Sequence, residues 1–147
     1  MTTATAQLIK DHKMIRKLLA ELAEGHPRFP QLLATTERVV LGHAWFEDEF
    51  LLPALKARPG LFQPFREEIA QEHRDIAGLF LRLRGATPSD PVVRPHLLTL
   101  RVLLETHFAK EEDALFPLAE KIIGEEGLVG MAVDMERRKS EVRLRPA

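Results

Sequence analysis

The chain has no cysteine and no tyrosine among its 147 residues, and only one tryptophan. Without cysteine there is no disulfide, no thiolate metal site, no iron–sulfur cluster and no covalently attached c-type haem. An excess of charge is missing too: the formal net charge is −1, so neither nucleic acid nor an anionic membrane is an expected partner. No apolar run is long enough to span a bilayer. The opening MTTATAQLIKDHK has no continuous apolar stretch of the signal-peptide kind. A cytoplasmic location is therefore the expectation. Strict alternation and β-branched clusters are also lacking, which argues against strands.

What the chain does have is helical periodicity, punctuated by proline and glycine in GHPRFP (25–30), RPGLFQP (58–64) and RGATPSDPVVRP (84–95). Between these breaks lie four segments of helical period, roughly residues 3–24, 30–58, 63–84 and 92–123. Gly25 is a candidate C′ residue for the first. Long helices joined by short links predict an all-α, up-down-up-down four-helix bundle over residues 1–124. Residues 125–147 form a tail, in which Leu128, Ala132 and Met135 would line one face of a short fifth helix.

Each helix carries a core stripe stepping by three or four residues. The stripes are Leu8, His12, Ile15, Leu19, Leu22; then Thr36, Val40, His43, Glu47, Phe50, Ala54; then Ile69, His73, Ile76, Phe80, Leu83; and Leu97, Leu100, Leu104, His107, Glu111, Ala114, Leu118. Every stripe contains a histidine, and the second and fourth add a glutamate one turn later. The halves repeat one another. LIKDHKMIRKLLAEL (8–22) aligns with IAQEHRDIAGLFLRL (69–83) at an offset of 61, and HAWFEDEFLLP (43–53) with HFAKEEDALFP (107–117) at an offset of 64. A repeated helical hairpin builds a bundle with a pseudo-twofold axis, and the four histidines occupy corresponding positions.

A single histidine on an apolar stripe is ordinarily a hydrogen-bonded core residue. A set in register on all four stripes is different. Buried carboxylates are costly, on the order of several kcal/mol each after relaxation, unless paired or metal-bound. The stripes supply no lysine or arginine for Glu47 and Glu111, whereas a dication supplies the charge and accepts imidazole nitrogen as well. Four imidazoles and two bridging carboxylates give too many donors for one ion and suit two. With an oxo or hydroxo bridge, one position on each ion stays open. Nitrogen and oxygen donors without thiolate favour iron, with manganese or zinc as competitors. Other motifs fail. No histidine of the set is preceded at three residues by the glutamate of a ferritin-like site: Ile9, Val40, Ala70 and Leu104 stand there. There is no His-Glu-x-x-His, no glycine-rich phosphate loop and no legible nucleophile–base pair, so no catalytic residue is assigned.

DH at 11–12, HAWFE at 43–47 with Pro53, EH at 72–73, and HFAKE at 107–111 with LFP at 115–117 resemble the hemerythrin-like (HHE cation-binding) family over roughly residues 5–123. The resemblance implies a non-haem di-iron centre ligated by His12, His43, Glu47, His73, His107 and Glu111, with both glutamates bridging. The oxygen carriers of that family have a further histidine one turn after the third-helix ligand, where this chain has Ala77. A sensing or reactive centre is therefore expected in preference to simple oxygen carriage. The function implied is binding or sensing of dioxygen, nitric oxide or peroxide. The alternatives are an oxidoreductase that removes peroxide or nitric oxide, and an iron store or donor. Asp11 and Glu72 are candidates to accept a ligand histidine's other N–H. Glu49, Glu112 and Asp113 are expected mainly in solvent, Trp45 in packing, and His26 and His96 at the surface or as caps.

Overall fold

The computed structural model describes residues 2–23, 25–57, 62–87 and 89–144, without the side chains of residues 62, 63 and 142–144. The helices are α1 (Ala4–Glu21), α2 (Phe29–Phe46), α3 (Leu52–Lys56), α4 (Phe62–Arg84), α5 (Val93–Lys110) and α6 (Phe116–Leu144). One π-helical turn, Glu47–Leu51, joins α2 to α3, and another, Glu111–Leu115, joins α5 to α6. Four rods result, with the two π-turns inside the second and fourth. The fold is an all-α four-helix bundle with no strand among the described residues.

Local chemistry starts and stops the rods. The Thr3 hydroxyl accepts the Ala6 amide at 3.2 Å and caps α1. Pro30 occupies the first turn of α2, where an amide would lack a partner anyway. Helix α1 ends at Leu22 in extended conformation, so Gly25, at φ +76°, serves the turn beyond and is not a C′ residue. Arg101 donates to the Leu19 carbonyl at 3.1 Å and to that of Leu22, satisfying two acceptors that the helix end leaves free. The 58–64 break lies mostly outside the described residues.

The stripes of α1 and α4 are buried at every expected position. In the other two rods the pattern holds as far as the glutamate and then slips by one residue. Leu51 and Leu55 are buried where Phe50 and Ala54 were expected, and Leu115 and Ala119 where Ala114 and Leu118 were expected. A π-turn inserts one residue into the helical repeat, so every later position rotates by about 100°. The cause is Pro53, mirrored by Pro117: a proline four residues past Glu49 or Asp113 offers no amide to that carbonyl. The amide before each proline bonds five residues back instead, Leu52 to Glu47 and Phe116 to Glu111.

Two apolar clusters lie above and below the polar layer. One contains Ile15, Leu33, Ile76, Phe80 and Leu100; the other contains Leu8, Leu51, Ile69, Phe116 and Leu128. The chain beyond Gly124 is helical as far as Leu144, longer than the short fifth helix expected. It is set off by a kink at Gly124 (φ 82°, ψ 164°) that only glycine adopts freely. Its Leu128, Ala132 and Met135 are buried, and its Arg138 and Lys139 lie 5.6 and 5.4 Å above the Trp45 and Phe46 rings. No described helix is long and apolar enough to cross a membrane.

Candidate metal centre

The four helical stripes bring His12, His43, Glu47, His73, His107 and Glu111 into one buried layer. They form two overlapping groups, His12/His43/Glu47/Glu111 and Glu47/His73/His107/Glu111. In each, one donor atom per residue lies within 4.8 Å of the others. Both glutamates belong to both groups, which is the placement a bridging carboxylate needs. Both also open a π-turn, so the local widening of the helix coincides with the shared donors.

The four imidazoles are oriented alike. Each turns Nε2 inward and gives Nδ1 to a carboxylate: His12 to Glu112 at 2.8 Å, His43 to Asp11 at 3.0 Å, His73 to Asp48 at 2.9 Å and His107 to Glu72 at 2.7 Å. This is the arrangement by which a carboxylate fixes the tautomer and raises the basicity of a ligating histidine. Asp11 and Glu72 thus serve histidines on neighbouring helices. Glu112, expected in solvent, is tied to His12 and also to Arg16 at 3.0 Å. Lys110 holds Glu72. Asp48 was not singled out from sequence. The signal was present: an acid follows each shared glutamate, Asp48 after Glu47 and Glu112 after Glu111. The other two histidines stand apart, His26 accepting the Arg28 amide at 2.9 Å in the turn before α2 and His96 half-buried in α5.

Inside the layer the polar groups crowd without satisfying one another. The Nε2 atoms of His12 and His43 are 3.2 Å apart. Glu111 Oε1 contacts His12 Nε2 at 2.9 Å and Glu47 Oε1 contacts His73 Nε2 at 3.0 Å. The glutamates are thus paired with imidazoles and not with lysine or arginine. Even so, Glu47 Oε2, Glu111 Oε2 and His107 Nε2 are buried with no hydrogen-bond partner. His107 Nε2 lies 3.2 Å from Glu111 Oε2, close enough for charge attraction but off the hydrogen-bond direction. Unpartnered buried donors and acceptors are costly. Three of them facing into a cage of nitrogen and oxygen donors are what a pair of cations would satisfy, so the residues present fit a two-metal group.

The same crowding shifts the ionisations of the metal-free protein. Burial alone would lower the histidine values, but neighbouring carboxylates outweigh it. For His43 these are Glu47, Asp11 and Glu111, which hold it well above its ordinary value. Asp48 and Glu47 raise His73 from 6.5 to about 9. Glu111 and Glu47 raise His107 from 6.5 to about 10. Glu47, against the effect of its burial, is held well below the carboxylate range by His43, Glu111 and His107. A raised folded-state value means that protonation stabilises the fold. That contribution is complete below pH about 6.5 and is lost as pH rises through 9 to 10. Thermal melts of chelator-treated protein are expected to fall progressively across that window. Metal-loaded protein, in which the imidazoles would be neutral ligands, should show a flatter profile. Parallel pH profiles for the two forms would contradict this.

A four-helix bundle with a doubled, buried histidine–glutamate cluster belongs to the class of bundles with a potential two-metal-binding motif. Residues 64–145 match the family described as the hemerythrin HHE cation binding domain. That match spans more than half of the chain, and the protein belongs to this family. No curated protein and no solved structure gives a significant match.

Proposed function

We propose that the protein is a non-haem di-iron protein that binds or senses a small ligand such as dioxygen, nitric oxide or peroxide. In this reading His12 and His43 hold one ion, His73 and His107 hold the other, and Glu47 and Glu111 bridge them. The observation that carries it is the pair of overlapping four-residue groups sharing both glutamates. An imidazole–carboxylate set with neither thiolate nor an all-oxygen cage suits iron, with manganese or zinc as competitors. A bound iron pair would supply exchangeable coordination positions and electrons. The chain's own part is to orient the four imidazoles through Asp11, Asp48, Glu72 and Glu112. It also keeps bulk water away through the apolar clusters on either side of the layer.

The test is metal analysis and an optical spectrum of protein loaded anaerobically with ferrous iron, before and after oxygen. Two irons per chain and an oxo-bridged absorption spectrum are expected. One zinc per chain and no colour change would overturn the reading. Rapid turnover of peroxide or nitric oxide would move it to an oxidoreductase, and iron loss to a chelator within minutes, with transfer to an acceptor protein, to an iron donor.

A further inference from the structure

The two halves of the centre differ in what covers them, although the sequence repeat makes them counterparts. On the first half, the Phe108 ring stacks on His12 at 3.9 Å between centroids and 19° between planes. Phe116 stacks behind it at 5.6 Å. Arg16 lies 5.3 Å above Phe108 and ties Glu112 to Glu105 through bonds of 3.0 and 2.9 Å. His12 is wholly buried under this lid.

The offsets of 64 and 61 give the counterparts on the second half. Phe108 corresponds to Ala44, Arg16 to Ala77, Glu105 to Leu41 and Glu112 to Asp48. The ring and the ion pairs of the first half are thus replaced by two methyl groups and a leucine. A groove of about 430 Å³ opens there between α2 and α4. Leu41, Ala44, Trp45, Ala70 and Ala77 line it together with His73 and the charged Asp48 and Arg74. Among the described residues no phenyl or indole ring stacks on His73; its ring contact is His107, at 4.9 Å. Asp48, which holds His73 Nδ1, is also the loosest of the four orienting carboxylates. Its side chain is 43 % exposed, against 19–28 % for the other three.

We infer that this groove is the access route by which a small, weakly polar ligand reaches the position served by His73 and His107, while the position served by His12 and His43 is closed. The inference rests on the two-metal reading above and adds the side from which the centre is approached. Five of the eight lining residues are apolar, and the charged ones are one cation, Arg74, and one carboxylate, Asp48, which suits small neutral molecules and linear monoanions better than multiply charged anions. Ala44 and Ala77 set the size limit, because any larger side chain at either position grows into the groove.

The experiment uses the full chain loaded with iron, with azide as the probe. Azide binding is followed by charge-transfer absorption and independently by the emission of Trp45, the only tryptophan, which lines the groove. Ala44→Phe places on this half the ring that Phe108 supplies on the other. Ala77→Leu narrows the opposite wall without altering the helix that carries His43 and Glu47. Both are expected to slow azide association by about tenfold or more while two irons per chain are retained. In the wild type the absorption and emission midpoints should coincide. Unchanged azide rates in iron-replete Ala77→Leu, or azide absorption in the wild type with no response from Trp45, would overturn the route and leave the two-metal reading intact. Metal analysis comes before azide: fewer than two ions per wild-type chain would refute the two-metal reading itself and remove the inference with it.

Discussion

Removing the metal is expected to lower the melting temperature by about 10 °C without unfolding the protein. A ligand that binds only the folded state stabilises it by about 4 kcal/mol at a thousandfold excess over its dissociation constant. For a chain of this size each kcal/mol moves the midpoint by roughly 2–4 °C. The physical source is local. Glu47 Oε2, Glu111 Oε2 and His107 Nε2 have no hydrogen-bond partner in the buried layer, and cations would satisfy all three. The metal-free form stays folded because protonated histidines partly replace the cations, as the raised values of His73 and His107 indicate. Chelator-treated protein, melted beside the loaded form and again after iron is restored, provides the measurement. Superimposable melts would show that the polar layer is complete without metal.

The second large effect is expected from Glu47→Gln. The substitution keeps the shape and burial of the side chain but removes the charge and one of the two donor oxygens. Because Glu47 belongs to both four-residue groups, the substitution should cost at least one of the two ions of the proposed centre. By contrast, Asp48→Asn, which alters the group orienting His73, should retain two ions and weaken affinity by about 10–100-fold. Metal titration with a competing chelator separates the two variants. In the metal-free state Glu47→Gln should also flatten the fall in stability between pH about 6.5 and 10, since Glu47 is among the groups that raise His73 and His107. Two tightly bound ions in Glu47→Gln would exclude a bridging role for Glu47.

The sequence by itself determined a good deal. Proline–glycine breaks and three-to-four-residue stripes set out the four rods, and the stripes of α1 and α4 were legible without error because those helices keep one period throughout. The six polar core residues were legible for a related reason: a polar residue interrupting an apolar stripe is conspicuous, and the internal repeat showed it twice. Three things were decided only by tertiary structure. The first is the slip of the stripes after Glu47 and Glu111. Pro53 and Pro117 signalled a disturbance, but whether a proline bends, ends or widens a helix depends on what packs against it. The second is which carboxylate orients which histidine. Asp11 and Glu72 each precede a histidine in sequence yet bond one on another helix, a pairing fixed by helix rotation and spacing. The third is the difference between the halves. The replacements Phe108 to Ala44 and Arg16 to Ala77 are written in the repeat. That Ala44 and Ala77 line opposite walls of one groove is a property of α2 lying against α4, which periodicity along a single helix does not contain.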